Sequence, residues 1–230
     1  DAETQTSVVR YAPLSDRIKF VAELAANWAA LQATPHEERR VALVLANYPN
    51  RDGRLGNGVG LDTPASCFNV LSAMRTAGYA VSDLPADGQA LIERLAAGPT
   101  NDLSERVARL GGIRYALADY REFLAGLPAA VRDAVCERWG EPESDPFVDG
   151  PDFLLAAFRL GNVVVGLQPA RGYNIDPAST YHDPDLVPPH GYLAFYAWAR
   201  RHFEADAIIH FGKHGNLEWL PGKALALSET

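Results

Sequence analysis

The sequence predicts an α/β layered domain, a mainly parallel sheet flanked by helices, with room for one antiparallel edge strand and a helical insertion between its halves. Three observations lead there. Residues 41–46 (VALVLA) form a short unbroken apolar run, the pattern of a strand buried on both faces and hence of a parallel sheet. The order strand, loop, helix begins there and returns from residue 163 onward, closing on a further short apolar run at 206–211. The two loops richest in glycine and chemistry-bearing side chains, after Ala46 and after Phe211, both follow these runs, and working loops of such sheets lie at the carboxyl ends of strands.

Taken in order, Ser15 and Asp16 can cap a helix whose apolar positions Ile18, Val21, Ala22, Ala25 and Trp28 recur at helical spacing, ending before Pro35. The 41–46 strand empties into a loop at 47–62 carrying Gly53, Gly56, Gly58 and Gly60. Thr63 and Pro64 then start a helix with a cap and a first-turn proline, and Gly78 stops it. Residues 86–140 read as several helices interrupted at Gly98-Pro99, Gly111-Gly112 and Pro128, and 141–152, rich in proline and acid, reads as an exposed linker. Apolar runs at 153–158 and 163–167 flank Leu160-Gly161-Asn162, a hairpin signal. A long polar loop at 168–189, an amphipathic helix at 191–203 and the 206–211 strand complete the pattern. The organisation expected is 1–85 as the first half of the domain with its N-terminal helix and glycine-rich loop, 86–150 as helical insertion and linker, and 151–230 as the second half with the histidine-rich segment.

Composition narrows the function classes. At 230 residues, 47% hydrophobic and 22% charged, the chain has ordinary globular values that exclude disorder and fibrous architecture. A net charge of -8 and a pI near 5.2 argue against a nucleic-acid partner, so an anionic ligand must be held by local arginines. Cys67 and Cys136 are distant and form no CxxC, which points away from disulfides or a cysteine zinc site and toward a reducing cytoplasm. No apolar run approaches the roughly 20 residues of a membrane span. The absence of an initiator methionine and of any cap after Leu225 reads as a fragment of something longer.

Three constellations could carry chemistry. His210, His214 and Glu218 are spaced four apart, which on a helix would align two imidazoles and a carboxylate; Gly212, Gly215 and Pro221 argue against a continuous helix there. In either geometry these donors suit a borderline divalent cation such as cobalt, zinc or nickel, against the plainer reading of histidines that cap or pack strand ends. The HExxH pattern of zinc hydrolases is absent. The loop Arg51-Asp52-Gly53-Arg54-Leu55-Gly56-Asn57-Gly58-Val59-Gly60 resembles an anion cradle, yet GxGxxG fails at Leu61 or Thr63 and GxxxxGK[ST] fails at Ala224. No ATP site is expected in this chain, and the loop is either a flexible turn or a carboxylate grip using Arg51, Arg54 and exposed amides. In the long polar loop, Arg171 could pair with a carboxylate and His182 or His190 could add a ligand or base, with helix capping as the plainer role of His190. Tyr192, Phe195 and Trp198 read as core.

Taken together, Asn47-Tyr48-Pro49 with 58–64 (GVGLDTP), Gly161-Asn162 with 166–169 (GLQP), Pro189-His190-Gly191, and 210–223 (HFGKHGNLEWLPGK) resemble the large subunits of ATP-dependent cobalt and magnesium chelatases. The resemblance runs from about Val41 to the end, thins at 86–140, and covers an internal slice of a subunit several times longer. The segments 212–223 and 181–186 (YHDPDL) look like the cobalt branch; the magnesium branch typically has threonine in place of Lys213 and phenylalanine-methionine for Trp219-Leu220. The resemblance implies a tetrapyrrole-binding subunit that inserts Co2+ into a corrinoid precursor, hydrogenobyrinic acid a,c-diamide, in adenosylcobalamin biosynthesis. Cobalt is then a substrate ion, ATP is used by two smaller motor subunits, and the isolated fragment is expected to be inactive without them. Glu218 matches the family residue most closely tied to activity, as base or metal relay. His210 and His214 are candidate metal ligands or proton acceptors, so the metal set is His210, His214 and Glu218. Arg51, Arg54, Arg171, His182 and His190 are the substrate-binding candidates. The competing readings are the large subunit of a magnesium chelatase acting on protoporphyrin IX, a non-catalytic docking module, and an independent metal hydrolase that would hold zinc tightly.

Overall fold

A computed structural model describes residues 11–47, 55–56, 58, 60–103, 111–172, 183–212, 217 and 220–222. Its elements are α1 (Ser15–Ala33), β1 (Val41–Leu45), α2 (Thr63–Thr76), α3 (Gly88–Ala96), β2 (Ile113–Ala116), α4 (Leu117–Ala125), α5 (Ala129–Trp139), β3 (Val148–Asp149), β4 (Asp152–Leu155), β5 (Ala157–Leu160), β6 (Val163–Leu167), α6 (His190–Arg201) and β7 (Ala207–Phe211). Four strands make the main sheet in the order β5-β6-β1-β7. β1 is parallel to both β6 and β7, and β5 closes the far edge antiparallel to β6. β2, β4 and β3 form a second, antiparallel sheet.

The unbroken apolar run of β1 follows from its place. Alternate side chains of a strand point to opposite faces, and both faces of β1 are covered. Ala42 and Val44 enter a core with Val164, Phe195 and Trp198 that extends to Tyr115, Tyr120 and Phe153 of the second sheet and α4. Val41, Leu43 and Leu45 enter another with Cys67, Leu71, Leu91 and Leu95 of α2 and α3. Helix α6 lies in the first core and is buried on most of its circumference, from His190 and Tyr192 to Trp198 and Ala199. The β5–β6 hairpin turns at Gly161, whose φ of +68° is left-handed and costs glycine nothing.

Several local expectations are corrected. α1 ends before Pro35 as its spacing predicts, but none of its residues is buried, and Ile18, Val21 and Trp28 are 55%, 61% and 66% exposed. Ser15 is inside that helix rather than its cap, and Asp16 is paired with Arg17 at 2.8 Å. The cap of α2 is Asp62, one residue earlier than the Thr63-Pro64 signal, with its carboxylate accepting from Ala65 N at 3.0 Å. Residues 86–150 are not wholly helical: β2 lies among the helices, because Tyr115 has an apolar core to enter and β4 to pair with. The stretch 141–152 is no exposed linker, since Pro142, Asp145 and Phe147 are buried and β3 joins the second sheet. The run 153–158 splits at Ala156, β4 going to one sheet and β5 to the other.

Candidate functional site

Because β1, β6 and β7 are parallel and in register, with Leu45 opposite both Leu167 and Phe211, their carboxyl ends share one edge. Three chain segments leave from it. The segment after Asn47 carries Arg51 and Arg54, that after Gly172 carries His182, and that after Gly212 carries His214 and Glu218. These five residues lie outside the described residues. The segments start close together: a side chain on Gly212 would strike Ala46 Cβ at 2.3 Å, and one on Gly58 would meet Thr63 Oγ1 at 2.7 Å and Gly212 Cα at 3.5 Å. Ala46 N donates to Phe211 O at 2.7 Å and Gln168 N to Leu45 O at 2.8 Å, which carries the pairing one step past the strands.

His210 sits on β7 opposite Val44, half-buried, on the sheet face that meets α6. Its ring lies beside that of Tyr196, with centroids 6.2 Å apart and planes 24° from parallel. The Tyr196 hydroxyl accepts a hydrogen bond from Gln168 Nε2 at 2.9 Å. Burial holds that phenol well above its ordinary pKa, so it stays protonated at neutral pH. Composition and spacing singled out none of this for Tyr196; its one sequence signal is a polar-tipped aromatic on the apolar face of α6.

Arg171 and His190, both expected at the substrate, are placed inside the protein. Arg171 is 3% exposed and its Nη2 donates to Asp183 O at 2.9 Å and Leu186 O at 3.3 Å. Its guanidinium therefore ties the residues before segment 173–182 to those after it. A cation this deep is tolerated because carbonyl oxygens replace its water. His190 is 0% exposed. Gly140 O lies 2.9 Å from its Nε2 and the Tyr120 hydroxyl 2.8 Å from its Nδ1. A carbonyl can only accept, so Nε2 donates and Nδ1 accepts from Tyr120. Nor does His190 cap α6. That helix start is held by the buried Asp145 carboxylate, which accepts from Gly191 N and Phe147 N at 2.9 Å each.

The first amides of α2 are already engaged, whereas the expected cradle at 51–60 lies mostly outside the described residues. Thr63 N donates to Leu61 O, Pro64 has no N–H, Ala65 N is taken by Asp62 Oδ1, and Ser66 N donates to Asp62 O. Among the described residues, the polar groups left at this edge are neutral. Among the described residues no hydrogen bond reaches the side-chain amide of Asn47 or the hydroxyl of Thr63, both buried. Of the residues proposed for a metal, only His210 is among those described, and within that set no three His, Cys, Asp or Glu side chains gather.

The family model described as CobN/Magnesium Chelatase matches residues 1–230. The chain belongs to the CobN/magnesium chelatase family. It is 60% identical, over 231 residues, to the aerobic cobaltochelatase subunit CobN of a Sinorhizobium species, an alignment covering 100% of this chain and 18% of that protein. It is 33% identical over 222 residues to a magnesium-chelatase subunit of Rhodobacter capsulatus, covering 95% of this chain and 18% of the other. A solved structure, the catalytic subunit of cobaltochelatase from Mycobacterium tuberculosis, superposes with a TM-score of 0.79 at 43% identity, covering 95% of this chain and 19% of that one. The chain thus spans about a fifth of the length of these family members. Among the described residues no helix is long and apolar enough to cross a membrane.

Proposed function

We propose that this chain forms the metal- and proton-handling edge of a cobaltochelatase large subunit. That subunit inserts Co2+ into a corrinoid precursor, hydrogenobyrinic acid a,c-diamide, while ATP hydrolysis in two smaller partner subunits supplies the drive. The observation that carries the reading is the departure of all three candidate-bearing segments from one sheet edge, with His210 on its last strand.

Metal insertion asks three things of a site. Water must be stripped from the ion, protons must leave the ring nitrogens, and the ring must bend so that its lone pairs reach the metal. Neutral imidazole serves the first two, replacing water on a borderline cation and accepting a proton near neutral pH. In this reading His210 and His214 take the ion or the protons, and Glu218 acts as base or passes the metal on. Arg51, Arg54 and His182 hold the periphery of the macrocycle. Arg171 contributes by closing the segment that carries His182, and His190 leaves the substrate set for the core. Imidazole donors favour cobalt over magnesium, which prefers oxygen and keeps its water.

The test is the complete chelatase assembled with Glu218→Ala or His214→Ala in the large subunit. Cobalt insertion is expected to fall by about 100-fold or more, the scale of a lost acid or base. Macrocycle binding, followed by absorbance, is expected to persist. Insertion at the normal rate in both variants rules the assignment out, and insertion of Mg2+ into protoporphyrin IX by the unaltered assembly moves the chain to the magnesium branch.

A further inference from the structure

We propose that Tyr196 is the positioning residue for His210, and that Gln168 holds it in place, itself clamped by Asn101 from a part of the chain with no candidate chemistry of its own. The inference rests on the reading of His210 as a metal- or proton-handling group.

His210 sits on the edge strand of the main sheet, where, among the described residues, one flank of the imidazole lacks a neighbouring strand of that sheet. An imidazole has two side-chain torsions, and a metal ligand or base is useful only while its nitrogen points in one direction. The nearly parallel ring of Tyr196, at an offset-stacking distance, limits that rotation. Tyr196 is itself restrained. The Tyr192 ring lies 5.2 Å away on the same helix, and Gln168 Nε2 donates to the hydroxyl at 2.9 Å.

Gln168 is fixed in turn. It is buried, its backbone N–H donates to Leu45 O at the end of β1, and its carbonyl accepts from Asn101 Nδ2 at 2.8 Å. Asn101 Oδ1 accepts from Ala170 N at 3.2 Å. Asn101 therefore clamps the backbone on both sides of Pro169 and sets where Gln168 stands. The chain Asn101, Gln168, Tyr196, His210 joins the region between α3 and β2 to the candidate site. Here the Gln168 amide donates to the part-buried Tyr196 hydroxyl and fixes that ring next to the one candidate imidazole among the described residues that is not fully buried.

The experiment is a double-mutant cycle in the complete chelatase with its motor subunits, measuring kcat and the KM values for Co2+ and for the corrinoid separately. Tyr196→Leu, which removes the ring, is expected to lower kcat/KM for cobalt by about 10-fold, within the range a small misplacement costs. The KM for the corrinoid should stay unchanged. Tyr196→Phe, which keeps the ring, should lose no more than about threefold, the effect of a loosened tether. In a His210→Ala background, Tyr196→Leu should have no further effect. An equal loss from Tyr196→Leu in both backgrounds overturns the positioning role and leaves the role of His210 standing. A normal rate for His210→Ala overturns both. Should Tyr196→Leu fail to fold, Gln168→Leu takes its place: it cuts the tether, its smaller loss should likewise vanish when His210 is alanine, and persistence of that loss overturns the proposal.

Discussion

His190 and Tyr120 make a pair that neither could form alone. A fully buried imidazole needs partners at both nitrogens, and the structure supplies a hydroxyl from α4 and a carbonyl from the end of α5. Tyr120→Phe removes only the hydroxyl, leaving Nδ1 without its donor in a site water does not reach. A loss of about 1–3 kcal/mol is expected, the cost of an unsatisfied buried polar group, and urea unfolding of the two proteins measures it. From the sequence, His190 and Arg171 were indistinguishable from His210, since all three are polar residues beside apolar elements. Only the degree of burial separates the fully enclosed His190 from the half-buried His210.

At the scale of elements, helix α2 carries a clear terminal signal read one residue late. Asp62, Thr63 and Pro64 are all residues that favour a helix start, and the position of the last non-helical residue decides which one caps. Asp62→Ala should therefore destabilise by about 1 kcal/mol, whereas a cap at Thr63 would leave that change nearly neutral; the shift in denaturation midpoint discriminates. β1 and β6 were legible because two-sided burial forces an unbroken apolar run. β2 was not, because only Tyr115 of its four residues is fully buried and they sit in a stretch rich in helix formers. The break at Ala156 was also hidden, since β4 and β5 have the same apolar composition although they enter different sheets.

For the whole molecule, burial of several weak acids predicts how stability responds to alkali. The Cys67 thiol is pushed from about 9 up to about 12 and the Tyr115 phenol from about 10 up to about 12, both by desolvation. The Tyr120 and Tyr196 phenols are driven higher still by the same cause. In each case the folded chain keeps its proton longer than the unfolded one, so the stabilisation is complete below about pH 9 and is lost as pH rises toward 12. Denaturant midpoints taken at intervals from pH 8 to 11 should fall across this window. In Cys67→Ala the decline should be shallower, and parallel curves for the two proteins would exclude a contribution from the thiol. The two-core arrangement makes this a global property, since Cys67 lies in one core and Tyr115 and Tyr120 in the other.

The sequence by itself determined the α/β class, the parallel main sheet, the hairpin at Gly161, and the family, whose motifs lie in the loops and at strand ends. These are local properties: a two-sided strand, a turn residue and a string of unusual side chains are each written in consecutive positions. The tertiary structure decided where the described candidates Arg171, His190 and His210 stand. It withdrew Arg171 and His190 into the interior, closed the amides of α2 behind Asp62, and set Tyr196 beside His210 under the hold of Gln168 and Asn101. Those outcomes depend on contacts between residues as much as 70 positions apart, as between Tyr120 and His190, and no spacing within a single segment encodes them.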